Sequence, residues 1–160
     1  MSERDLTMGL RLYAESVNAA ALRGAGKAGL RFLRDVEMDI PTAPLKEGTL
    51  RGSGTLHVQS KCVEVADNVG GEPTPNTDPV EQPPPGVVEA VVGFNVPYAA
   101  VQHEGEWASG PLAGVTIKNY SEPSSGPKFI ERKLAANSND YMEIWAGEIR
   151  KGTGGRGGIV

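Results

Sequence analysis

His103-Glu104 is the pairing in this chain best suited to chemistry. An imidazole can serve as general base or metal ligand, and a carboxylate can orient it. Neighbours on a chain usually point in different directions, however, so this pair does not orient itself. His57 is the only other histidine, and no His-x-x-x-His spacing supplies a second ligand from a helix face. A hydrogen-bonded structural histidine is the simpler assignment. Cys62 would need His57 or His103 as a base to act as a nucleophile, and it reads more simply as a half-buried strand residue. Gly52-Ser53-Gly54 lacks the Gly-x-Ser-x-Gly spacing of a nucleophile elbow. Gly24-Ala25-Gly26-Lys27 lies inside a helical pattern, and no phosphate-binding loop is present. Neither a metal nor a cofactor is expected, and no residue is assigned a catalytic role.

The elements that would position these residues follow from hydrophobic periodicity. Leu6, Leu10, Tyr13, Val17, Ala20 and Ala21 recur three or four apart, and Leu30, Leu33 and Val36 resume the stripe. That spacing predicts a helix over about Arg4 to Glu37. Gly24, Gly26 and Gly29 weaken it, or mark a face against which another backbone packs closely. Pro41 stops the helix. A loop runs from Pro41 to Gly54, with Leu45 and Leu50 as anchors onto the core.

Thr55 to Val65 alternates apolar and polar residues, as a strand with one wet face does, with a turn or bulge at Gln59-Ser60-Lys61. His57 falls on its outward side. Asp67 to Gly86 is rich in proline and reads as a long protruding loop. Val87 to Phe94 is the clearest strand and should pair antiparallel with the Thr55–Val65 region. Pro97 would open a short helix over Tyr98 to His103. Gly114 to Tyr120 suggests one more short strand. Pro127 should begin the last helix with Ser124 or Ser125 as its cap, and Ile130, Leu134, Tyr141, Trp145 and Ile149 give its apolar stripe through about Arg150. Asn137-Ser138-Asn139 could interrupt it. Residues 151–160 read as a flexible Gly-rich tail. The outcome is α+β: a small, mostly antiparallel sheet packed by an N-terminal and a C-terminal helix, in a single domain over residues 1–150 with the 67–86 loop inside it.

Composition narrows the function. At 160 residues, with 39% hydrophobic residues and glycine plus proline making about a fifth of the chain, the core should be modest. Contacts with other chains could complete the burial. A net charge of −4 and the lack of a basic patch argue against sequence-specific nucleic-acid binding. One cysteine allows no intrachain disulfide. No apolar run approaches a membrane span, and Met-Ser-Glu-Arg-Asp lacks the pattern of a signal peptide.

Three segments, in this order, carry a resemblance. Pro41 to Ser53 contains Pro-Leu-Lys-Glu-Gly-Thr-Leu-Arg-Gly-Ser. Val92 to Gly105 is a strand followed by Tyr98-Ala99-Ala100-Val101-Gln102-His103-Glu104-Gly105. Gly126-Pro127-Lys128-Phe129-Ile130 leads into the C-terminal helix. Together they resemble the minor capsid and neck, or tail-completion, proteins of long-tailed bacteriophages. The resemblance implies a non-enzymatic virion protein at the head–tail junction, made in the host cytoplasm. It would form a homo-oligomeric ring of six or twelve copies below the portal, between head-connector and tail-tube proteins, with genomic DNA passing through the lumen unread. Leu50, Arg51, Pro97, Tyr98, Gln102, His103, Glu104, Pro127 and Phe129 are the interface residues expected on this reading. The alternatives are a small metal-dependent or histidine-based hydrolase centred on His103 and Glu104, and an interaction adaptor that uses the proline-rich loop.

Overall fold

The computed structural model describes residues 3–39, 41–43, 49–66, 75–120 and 122–154. Its fold is α+β. Helix α1 (Glu3–Met38) is followed by the single turn α2 (Thr49–Gly52) and strands β1 (Gly54–Val58) and β2 (Lys61–Val65). Then come β3 (Ala90–Phe94), the short helix α3 (Ala99–Glu104) and α4 (Phe129–Gly152). The sheet order is β2-β1-β3, with both pairings antiparallel.

β1 and β2 form a tight hairpin. Gln59 and Ser60 both take positive φ, 49° and 75°, as a two-residue hairpin turn of matching twist requires. Neither is glycine, so tertiary contacts hold the turn. The Gln59 side chain donates to Val87 O at 3.1 Å and accepts from the Glu89 amide at 2.9 Å. The register slips between Leu56 and His57, leaving Val63 without a partner opposite in β1.

α1 lies against the sheet on one face and against α4 on another. Leu33 and Leu56 are buried where helix and sheet meet. Gly24 and Gly29 mark close approaches rather than a weakened helix, whereas the nearest atom to a Cβ on Gly26 is 4.0 Å away. A Cβ on Gly24 would lie 2.8 Å from the Trp145 carbonyl oxygen, and one on Gly29 would run into the Leu56 side chain. α4 reaches β3 through Phe129, whose ring meets Phe94 edge-on at 5.9 Å. Val36, Ala43, Leu50 and Phe129 make the buried cluster at this end, with Phe32, Val96, Ala99 and Ile130 around it.

The structure corrects several local expectations. Leu6, Leu10 and Tyr13 are half exposed or more, because the stripe runs past the end of α4 instead of onto a core. Thr55 and His57 are buried, and a His57 ring nitrogen lies 3.0 Å from Asp78 O. The face of β1 expected to be wet is therefore covered by part of the proline-rich segment. β3 starts at Ala90 rather than Val87. The strand expected at 114–120 reduces to one bridge, Glu106 to Thr116. α3 is capped by Tyr98, so Pro97 precedes the helix rather than opening it. α4 starts at Phe129 after Lys128 at φ 57°, with no side-chain cap from Ser124 or Ser125, and it runs unbroken through Asn137-Ser138-Asn139 to Gly152. Leu45, residues 67–74 of the loop and residues 155–160 of the tail lie outside the described residues.

Candidate functional site

α3 ends where the sequence needs a turn. Gly105 adopts φ 76° at its C-cap and donates its amide to Val101 O. Its position is closed on the other side, since a Cβ there would sit 2.9 Å from Pro127. The chain returns to this point after the excursion over 106–126, and the Lys128 amide donates to His103 O at 2.6 Å. Tyr120 donates its hydroxyl to Gln102 O at 3.2 Å. α3 and the first turn of α4 are thereby fastened side by side.

This fastening builds a cluster that spacing along the chain could not reveal. His103 Nε2 lies 3.9 Å from Glu104 Oε1 and 3.9 Å from Glu131 Oε1, just beyond hydrogen-bond reach. The Lys128 ammonium pairs with both carboxylates, with Glu104 closely and with Glu131 at 3.4 Å. The imidazole stacks edge-on against Phe129 at 5.0 Å between centroids. Burial pushes the His103 pKa below its ordinary value, outweighing the two carboxylates that favour its charged form. The hydrogen bond from Lys128 lowers the Glu104 pKa, and the same bond raises that of Lys128. Glu131 and Lys128 are the members that sequence reasoning missed. They stand more than twenty residues beyond His103, and only the fold brings them near.

Nε2 and the two carboxylate oxygens lie within 4.8 Å of one another. A divalent ion with ligands at about 2.0–2.2 Å would have to draw them together. Two features work against that. The ammonium of Lys128 already pairs with both carboxylates. The other ring nitrogen, Nδ1, is buried with no hydrogen-bond partner among the described residues. A ligating histidine normally donates from its second nitrogen to an acceptor. Ligation through Nε2 would leave an orphaned N–H at Nδ1. A proton on Nε2 instead points at Glu104 and Glu131 and leaves Nδ1 a bare acceptor. The geometry is that of an ion-pair clamp between α3 and α4.

The remaining expected interface residues divide by environment. Leu50 and Phe129 are core residues, 3% and 1% exposed. Arg51 is buried and turned inward: Nε donates to Ala43 O at 2.7 Å, while Nη2 donates to Thr42 Oγ1 at 2.9 Å and to Glu122 at 2.8 Å. It ties the segment after α1 to the segment before α4, reinforcing the parallel bridge between Thr42 and Ser125. Gln102 and Pro127 are half-buried, and Pro97, Tyr98 and Glu104 are exposed. Among the described residues no helix is long and apolar enough to cross a membrane. No protein-family model, curated protein or solved structure matches the chain.

Proposed function

We propose that this protein is a structural subunit that works by self-association: a homo-oligomeric ring at the head–tail junction of a tailed bacteriophage, joining portal and tail and letting DNA pass. The observation that carries the self-association is the N-terminal part of α1. Gly152, the end of α4, lies beside Ser16 and Ala20, where Ser16 Oγ donates to Gly152 O at 2.8 Å. Residues 3–15 therefore extend about 20 Å beyond the end of α4, at 1.5 Å per residue. This arm exposes Leu6, Met8, Leu10, Leu12 and Tyr13 by 50 to 65% each. Five large apolar side chains on one projecting helix form a patch of the kind that marks a contact surface. The virion placement rests on the ordered resemblance of the three motifs described above. An acidic net charge suits a lumen through which DNA slides.

Purified protein examined by native mass spectrometry and by negative-stain imaging tests this reading. A closed oligomer that associates with purified heads or tails is expected. A strictly monomeric protein that is absent from purified particles would overturn it.

The closeness of His103 to Glu104 and Glu131 is the observation behind a second reading, a metal-dependent or histidine-based hydrolase, and the pairing of both carboxylates with Lys128 weighs against it. Metal analysis of the purified protein decides between them, together with a turnover assay of His103→Ala. Stoichiometric metal, or a turnover lost in the variant while assembly persists, would favour the enzyme.

A further inference from the structure

Asp78-Pro79 is the only Asp-Pro pair in the chain, and the fold brings a histidine onto it. His57 Nε2 lies 3.0 Å from Asp78 O, the carbonyl oxygen of the peptide bond to Pro79. A carbonyl oxygen only accepts, so Nε2 carries the proton and donates. His57 is 4% exposed, and a donor buried in this way acts more strongly than one in water. The bond is fixed on both sides. The Asp78 amide donates to Asn76 Oδ1 at 3.0 Å, and the Val80 amide donates to Ser60 O at 3.0 Å. Asp78 itself is exposed, so water reaches it.

An Asp-Pro bond is one that its own side chain can open. The aspartate carboxylate and the adjoining carbonyl carbon can close a cyclic anhydride, and the proline nitrogen leaves as a secondary amine. We propose that the folded chain cleaves itself between Asp78 and Pro79, with the Asp78 carboxylate as nucleophile and His57 as oxyanion donor. A carboxylate oxygen of Asp78 adds to the Asp78 carbonyl carbon, and the carbonyl oxygen becomes an oxyanion held by the His57 N–H. Collapse of this adduct breaks the C–N bond to Pro79 and leaves the anhydride at Asp78. The proline nitrogen takes its proton from solvent. Water then opens the anhydride, so the net change is hydrolysis of the peptide bond. The reaction is a single turnover and does not depend on the ring reading. The cut separates α1, α2, β1 and β2 from β3, α3 and α4. β1 pairs with β3, and Tyr141 of α4 bonds Asp35 of α1, so the two pieces stay together in the folded protein.

Mass spectrometry under denaturing conditions tests the proposal, on the full chain incubated at mildly acid pH. Two products are expected, one ending at Asp78 and one beginning at Pro79, together heavier than the chain by one water. They should form several-fold faster than in the same buffer with guanidinium chloride, where an Asp-Pro bond has only its intrinsic lability. Asp78→Asn should remove the products. His57→Phe keeps a ring but no donor and should slow cleavage to the rate in denaturant, whereas His57→Gln, with an amide N–H, should keep part of it. A chain that stays intact, or that is cut no faster folded than unfolded, would overturn the proposal. Unchanged cleavage in a His57→Phe protein that still unfolds cooperatively would do the same. If His57→Phe does not fold, the wild-type comparison with denaturant and the Asp78→Asn variant decide.

Discussion

Tyr141 donates its hydroxyl to Asp35 Oδ2 at 2.8 Å, joining α4 to α1 across 106 residues of sequence. Arg31 Nε donates to the other carboxylate oxygen at 2.8 Å, and Asn137 donates to the Tyr141 oxygen at 3.3 Å. Asp35 is 5% exposed, so its carboxylate takes hydrogen bonds from these donors where a surface group would take them from water. Burial, with the Asp35 carboxylate adding to it, pushes the Tyr141 pKa up to about 12. Tyr141→Phe should cost about 1–2 kcal/mol, the loss of one hydrogen bond to a buried charged acceptor. Urea denaturation measures it, and a cost near zero would mean that Asp35 finds water in place of the phenol. The raised pKa acts at alkaline pH. The contribution of the wild-type hydroxyl is complete below the unfolded value of about 10 and is lost as pH rises through about 12.

The two helices meet where α1 has no side chain to interpose. Gly24→Ala would place a methyl 2.8 Å from the Trp145 carbonyl oxygen and 2.6 Å from its ring. The backbone of α4 would have to move, so a loss of about 1–3 kcal/mol is expected from overpacking. Gly9→Ala is the control, because nothing lies within 4 Å of the added carbon. It should raise helix content in the arm, by about 1 kcal/mol of local helix propensity. Thermal unfolding should separate the two variants in opposite directions or leave Gly9→Ala unchanged.

Arg51 is a buried cation at the core end, and its three acceptors come from two separate stretches of chain, Thr42-Ala43 and Glu122. Arg51→Met keeps much of the volume but removes the arginine donors to Ala43 O, Thr42 Oγ1 and the Glu122 carboxylate. A cost of about 1–3 kcal/mol is expected from the unmet buried acceptors, less than for a fully buried pair because the Glu122 side chain is 33% exposed. Adding Glu122→Gln to Arg51→Met should recover part of it. Equal stability of single and double variants in chemical denaturation would show that the ion pair is not the source.

His103 ties stability to mildly acid pH. Its folded pKa lies below the ordinary 6.5, so the unfolded chain binds the proton more readily. The contribution of the neutral imidazole is complete above about 6.5 and declines as pH falls below it. Glu104, with its pKa also lowered, adds a loss in the same direction at lower pH. His103→Gln should flatten the stability profile just below about pH 6.5 and leave the more acidic decline in place. Thermal unfolding across that range reads the difference, and an unchanged profile would assign the acid sensitivity to other groups.

Both long helices, the antiparallel pairing of the two strand regions and the α+β class could be read from the sequence, because each depends on local periodicity. A stripe at three- and four-residue spacing can bury itself only as a helix, and the β-branched run before Asn95 only as a strand. The close approach implied by Gly24 and Gly29 could also be read from the sequence, because a glycine inside a helix is costly unless something occupies its space. Tertiary structure decided the rest. Leu6, Leu10 and Tyr13 carry the same periodicity as Ala20 and Gly24, yet they stand in the open because α4 ends at Gly152. No local pattern encodes the length of a partner helix. Arg51 looked outward by residue type and turned inward because Thr42, Ala43 and Glu122 converge on it. His103 gained Glu131 and Lys128 because the chain folds back at Pro127, setting α4 beside α3. Side-chain chemistry is written in the sequence, but the distance between residues far apart in the chain is set only when the chain packs.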